Sequence, residues 1–188
     1  MRKILALCGS ARRGSFNQML LDCCVRGAQD AGAQVAQLNL RELDLPIYDG
    51  DLEAEGGAPA SVHRFRAHLA ENAALLIATP EYNGGYSPLL KNALDWASRP
   101  AEADATGLAP FAGKTAALIS ASPGAMGGLR SQIALQMVLH KMGVSVAPKT
   151  FALSFARQAF DEAGRLKDPA VEARVRNVGA GLAELAAR

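Results

Sequence analysis

Lys3-Ile4-Leu5-Ala6-Leu7-Cys8-Gly9-Ser10-Ala11-Arg12-Arg13-Gly14-Ser15-Phe16-Asn17 is the stretch on which the fold turns. A short, nearly unbroken apolar run, Lys3–Cys8, stops at a loop of small, hydroxylated and basic residues. A helical pattern then runs over Phe16–Ala31. Apolar residues at almost every position of so short a run indicate a parallel strand covered on both faces. The same alternation continues outward. Strand runs recur at Gln34–Leu40, Ala73–Thr79, Thr115–Ser120 and Ser145–Ala147, and helical patterns at Ala60–Asn72, Leu89–Ser98, Ser131–Met142 and Pro169–Ala187. The last helix is marked at its start, with Asp168 to cap free N–H groups and Pro169 at the first helical position. Val171, Val175, Val178, Leu182 and Leu185 then share one of its faces. Five strands alternating with helices predict an α/β domain over residues 1–188, built on a parallel sheet with right-handed crossovers.

Bulk properties narrow the partners. A chain of 188 residues with 49% apolar content builds one buried core. Twenty Lys and Arg against eighteen Asp and Glu leave a net charge of +2, too balanced and too scattered for nucleic acid or an anionic membrane surface. The apolar runs are too short to span a bilayer. The apolar segment at Ile4–Cys8 is likewise too short for a signal peptide and reads as a strand. Cys8, Cys23 and Cys24 show neither CxxC spacing nor an even framework, so they read as buried apolar residues of a cytoplasmic protein. His63, His68 and His140 lack the spacing and the companions of a metal site.

Ligands of open parallel sheets bind beyond the carboxyl ends of the strands, so the loops after the first, third and fourth strands matter most. The first offers Ser10, Arg12, Ser15 and Asn17 at a helix N-terminus, where unpaired N–H groups and a partial positive charge suit a phosphate. It is neither a GxxxxGK[ST] nor a GxGxxG loop. The second, Thr79-Pro80-Glu81-Tyr82-Asn83-Gly84-Gly85-Tyr86-Ser87-Pro88, combines aromatics, glycines and prolines in a shaped loop suited to a planar ring. Leu94 and Trp96 beyond it belong to helix packing. The third, Ser120-Ala121-Ser122-Pro123-Gly124-Ala125-Met126-Gly127-Gly128-Leu129-Arg130, is rich in small residues and again precedes a helix. One phosphate loop and two backbone-rich loops at one sheet edge describe a site for a flat phosphorylated ligand.

Pro80-Glu81-Tyr82-Asn83 followed by Leu90-Lys91-Asn92-Ala93-Leu94-Asp95-Trp96 resembles the NADPH-dependent FMN reductase family, which includes quinone, chromate and azo-dye reductases. Gly9-Ser10-x-Arg12 with Ser15 and Asn17, and Gly127-Gly128-x-Arg130, support the resemblance over nearly the whole chain. It implies a flavodoxin-like three-layer sandwich with a five-stranded parallel sheet in the order 2-1-3-4-5. It also implies FMN as cofactor and NADPH or NADH as co-substrate. Ser10, Arg12, Ser15, Phe16 and Asn17 then hold the phosphate. Pro80, Glu81, Tyr82, Asn83 and Gly84 line the isoalloxazine ring, with Ser120, Ser122 and Gly124 on its far side. Family members are commonly dimers or tetramers, and the helix at Ser131–Met142, apolar around most of its circumference, fits a homodimer or homotetramer contact. The run Gly85-Tyr86-Ser87-Pro88 departs from the family pattern by a proline shifted one position, so acceptor preference does not carry over.

The chemistry expected is hydride transfer from NAD(P)H and then reduction of a quinone or similar small acceptor, in ping-pong order, with no side chain acting as nucleophile or base. A hydrolase reading fails because Ser120-Ala121-Ser122-Pro123-Gly124 lacks the first glycine of GxSxG. A flavodoxin-type electron carrier or a redox-sensing module is the alternative, distinguished by the absence of NAD(P)H oxidation. Glu81, the only acid in the expected pocket, either faces the ligand or pairs with an arginine such as Arg130 of a neighbouring subunit.

Overall fold

The computed structural model describes residues 3–187. Its centre is a parallel sheet whose first strand, β1 (Lys3–Cys8), lies between β2 (Gln34–Asn39) and β3 (Ala74–Ala78), with β4 (Thr115–Ala121) beyond β3. Ile4 stands opposite Val35 on one side and Ala74 on the other, and Ala74 stands opposite Thr115. The order 2-1-3-4-5 is as expected, but among the described residues the sheet has six strands rather than five. Two short strands share the outer edge of β4: β5 (Ser145–Val146) along Thr115–Ala116 and β6 (Phe151–Leu153) along Ile119–Ala121. Pro148 lies between them and has no N–H for the ladder, so the chain steps off the edge and returns.

Helices cover both faces. α1 (Phe16–Asp30) lies on one side; α2 (Gly50–Gly56) follows β2 after a single 3-10 turn at Leu40–Leu43. α3 (Ala60–Glu71), α4 (Pro88–Ala97) and α5 (Leu129–Lys141) lie on the other face, α6 (Ala156–Ala159) is one turn long, and α7 (Pro169–Leu185) joins α1. Alternation along β1 decides the two cores. Ile4, Ala6 and Cys8 meet α1 and α7, while Leu5 and Leu7 meet Phe65, Leu90 and Leu135 of α3, α4 and α5. Where α1 crosses α7, a Cβ built on Gly27 lies 2.1 Å from the Arg176 carbonyl oxygen, and one on Gly179 lies 2.0 Å from that of Cys24. The two backbones therefore touch with no side chain between them. Trp96 is fully buried as expected; its Nε1 donates to the Pro46 carbonyl at 2.8 Å and Tyr48 meets its ring edge-on at 5.0 Å.

Candidate functional site

Ser15 caps α1 by accepting from the Gln18 N–H at 3.4 Å, and the first-turn N–H groups of Phe16 and Asn17 are left with no intrahelical acceptor. Arg12 is exposed, has no carboxylate partner among the described residues, and sits 5.7 Å from the Phe16 ring centroid. Phe16 in turn stacks on Phe160 at 5.9 Å and 4°. The Asn17 side chain is already committed: its Nδ2 donates to the Ala121 carbonyl at 2.9 Å and its Oδ1 accepts from the Ala121 N–H at 3.0 Å. Asn17 thus fastens α1 to the end of β4, and its backbone N–H and second Nδ2 hydrogen remain for a ligand.

The loop after β3 owes its shape to Asn83-Gly84. Both residues have positive φ, 52° and 82°, and Tyr82 and Gly85 exchange backbone hydrogen bonds of 2.9 and 3.0 Å across them. That is the tight turn for which Asn-Gly is the preferred pair. It leaves Tyr82 exposed and, among the described residues, the Asn83 and Gly84 N–H groups without backbone partners. The displaced proline also finds its reason here. Pro88 takes the first position of α4, and Ser87 caps that helix through the Leu90 N–H at 3.2 Å. The Ser87 hydroxyl also donates to the Gly9 carbonyl at 2.5 Å, tying the first loop to the second.

In the third loop the expectation for Ser120 needs correcting. Its side chain is fully buried, donating to the Gly127 carbonyl at 2.7 Å and accepting from Gln132 Nε2 at 2.6 Å. It lies beneath the loop and supports it. A Cβ on Gly128 would come within 2.8 Å of the Ser120 Cβ, and φ at Gly128 is +88°, so that position demands glycine. The Ser122 hydroxyl accepts from the Gly124 N–H at 3.2 Å, and no histidine among the described residues lines the site, so nothing activates it as a nucleophile. The cysteines are no better placed: burial raises the pKa of the Cys8 and Cys23 thiols and pushes that of Cys24 up to about 12.

Glu81 pairs with Arg130 of its own chain, Nε to Oε1 at 2.6 Å, bridging the second and third loops. The Glu81 side chain is only 8% exposed against 62% for Arg130, and its Oε2 is buried with no hydrogen-bond donor among the described residues.

The loops meet in one cleft of about 110 Å³. Ser10, Arg12, Ser15, Phe16 and Asn17 line it from the first loop, Pro80, Glu81 and Tyr82 from the second, and Ser122 from the third, with Ala121 and Pro123 completing it. Asn83, Gly84 and Gly124 stand outside its lining, and Ser120 lies behind it. The third loop has a brace outside the cleft in Phe155, an exposed residue with φ +51° whose N–H donates to the Gly124 carbonyl at 3.3 Å. No sequence signal marks it, because the strand that delivers it has only three residues.

The donor set fits a phosphorylated ring compound. The Arg12 guanidinium and the free N–H groups of α1 suit a phosphate at one end. The orphaned Glu81 Oε2 and the exposed turn amides suit the polar edge of a ring at the other.

Residues 2–158 match the family model for NADPH-dependent FMN reductases. An NAD(P)H-dependent FMN reductase of Pseudomonas aeruginosa is 40% identical over 88% of this chain and 85% of its own. An NAD(P)H:quinone oxidoreductase of Solanum tuberosum is 36% identical over 98% and 92% of the two chains. Among solved structures, the flavoenzyme NAD(P)H:(acceptor) oxidoreductase of Paracoccus denitrificans superposes with a TM-score of 0.83 at 27% identity, over 100% of this chain and 98% of its own.

Proposed function

The chain belongs to the NADPH-dependent FMN reductase family, and from that membership we propose that the three-loop cleft seats FMN by its phosphate and serves the reduction of quinones or similar small acceptors in ping-pong order. The protein is an oxidoreductase with FMN as cofactor and NAD(P)H as co-substrate. The observation that carries the site assignment is the convergence of Ser10, Arg12, Ser15, Pro80, Glu81 and Ser122 on one cleft from three separate loops.

When bound, FMN supplies a group that accepts two electrons from a nicotinamide and passes them to a second acceptor. The residues supply position and charge. Arg12, the Ser10 and Ser15 hydroxyls and the Phe16 and Asn17 amides hold the phosphate. Pro80, Glu81, Tyr82, Asn83 and Gly84 border the ring, and Gly124 lies on its far side. Ser120 and Asn17 work indirectly, by fixing the third loop and the end of β4. In the Ser122–Ala125 segment the Ser122 N–H is spent on the Leu153 carbonyl, Pro123 has no N–H and the Gly124 N–H is held by the Ser122 hydroxyl, so the Ala125 N–H is the backbone donor that would face negative charge on a bound ring. No side chain transfers a proton in this scheme, and none is named catalytic.

The same reading extends to a homodimer or homotetramer. Met126, Leu129, Ile133 and Met137 are exposed beside or along α5, while Leu135 and Leu139 face inward. The helix therefore turns one side to the core and carries a second apolar stripe outward. An exposed stripe of this kind marks a contact surface.

The test is the visible absorption spectrum of the purified protein, before and after NADPH with limited oxygen. Oxidised-flavin bands that bleach and return on adding a quinone are expected. A colourless protein that takes up no added FMN would overturn the site assignment.

A further inference from the structure

We infer that a second, larger cleft is the subsite for the adenosine end of the nicotinamide co-substrate, and that Arg13 and Arg41 there read the 2′-phosphate that distinguishes NADPH from NADH. The inference rests on the FMN assignment, because it takes the first cleft as filled by the cofactor's own phosphate.

The second cleft, about 520 Å³, opens on the other side of the 10–13 loop, between α1 and the edge strand β2. Ser10 and Arg12 border both clefts, so the two flank one loop. Arg12, Arg13 and Arg41 all line the larger one, and none forms an ion pair among the described residues. Arg13 has no hydrogen-bond partner among those residues at all. Arg41 spends one N–H on the Ala11 carbonyl at 3.3 Å, which holds its guanidinium against the loop. The one carboxylate that the described residues place in the lining, Glu42, accepts from Asn39 Nδ2 at 2.8 Å. Asp22, just behind, accepts from Gln18 Nε2 at 2.8 Å.

Three guanidinium groups against the single Glu42 carboxylate, which is turned to Asn39 and pairs with none of them, leave the concave site with surplus positive charge, and their planar forks match phosphate oxygens. The topology says which anion. In a βαβ nucleotide-binding unit the loop after the first strand meets the phosphates, and the end of the second strand meets the adenosine ribose. An acid at that point accepts from the 2′-hydroxyl, whereas an arginine takes a 2′-phosphate. Here β2 ends at Asn39 and Arg41 follows two residues on, beside the loop after β1. FMN brings one phosphate; the nicotinamide co-substrate brings a pyrophosphate and, in NADPH alone, the 2′-phosphate.

The experiment uses the FMN-loaded protein and its R13A/R41A variant. Calorimetric titration with adenosine 2′,5′-bisphosphate, adenosine 5′-monophosphate and inorganic phosphate reads the subsite without turnover. The wild type is expected to bind the bisphosphate at least roughly tenfold more tightly than the monophosphate, the margin of one charge-assisted hydrogen bond. The variant should lose that margin. Its ratio of kcat/KM for NADPH over NADH should fall by a similar factor, through KM. Equal binding of the two adenosine compounds, or an unchanged cofactor ratio in the variant, would overturn the inference. So would inorganic phosphate binding as tightly as the bisphosphate, which would make the cleft a general anion site. Loss of FMN from the variant would assign these arginines to the first cleft instead and also overturn it. Failure of the FMN assignment itself shows separately, as a wild type that takes up no flavin.

Discussion

Arg12 borders both clefts, and among the described residues it is the one charged side chain that does. Replacing it by Ala removes a charge-assisted contact worth about 1.5–3 kcal/mol, so the FMN dissociation constant is expected to rise roughly tenfold to a hundredfold. Flavin fluorescence titration measures this, and an unmoved constant would sink the phosphate assignment. Because Arg12 is exposed, the melting temperature of the flavin-free protein should stay where it is. Asn17→Ala acts the other way. It strands the buried N–H and carbonyl of Ala121 and is expected to lower stability by about 2 kcal/mol in denaturant titration. Sequence reading places both residues in one loop and gives both the same role. Hydroxyls and a guanidinium at a helix N-terminus announce their chemistry locally, and those assignments meet in the cleft. The second duty of Asn17, the burial of Ser120 and the pairing of Glu81 with Arg130 in its own chain all depend on residues that are distant along the chain. Nothing local encodes such partners.

The crossing of α1 and α7 shows what an element can require of a single position. Each helix spends a glycine at the contact, although glycine costs about 1 kcal/mol against alanine inside a helix. Gly179→Ala gains that propensity and then drives a methyl group to 2.0 Å from the Cys24 carbonyl oxygen. The helices must part, and a net loss of about 1–3 kcal/mol is expected in denaturant unfolding. A variant as stable as the wild type would mean that the two backbones are not in contact. Elements with strong patterns are legible in the amino-acid sequence: β1, β3 and β4 are buried on both faces and read as apolar runs, and α7 is announced by Asp168 and Pro169. Those without a pattern are not. α2 buries no residue, and β6 has three residues, too few to show a period, whereas the still shorter β5 falls within the strand expected at Ser145–Ala147. The ends of the longer helices and strands differ from the expected ones by one or two positions, as frayed termini do.

At the scale of the whole molecule the outward stripe on α5 is the main unsatisfied surface, with Ile133 55% and Met137 72% exposed. I133D/M137D is expected to convert an oligomer into a monomer in size-exclusion chromatography with light scattering, at unchanged circular dichroism. A wild type that runs as a monomer would overturn the homo-oligomer reading. The contact between α1 and α7 has a further consequence, in the time order of protein synthesis. Every side chain that lines the three-loop cleft lies before residue 124, so all of them are made before residues 169–185. Until Val175, Val178 and Leu182 arrive to cover the sheet beside α1, that helix has half its seat missing, and the Asn17–Ala121 hydrogen bonds are what tie its first turn to the sheet. The growing chain thus carries the whole lining of the cleft before that face of the sheet is covered. A chain cut before residue 169 is expected to leave that apolar face exposed and to retain no FMN, which the absorption spectrum of the purified truncated protein checks; exposed apolar surface of this kind is what chaperones and proteases act on.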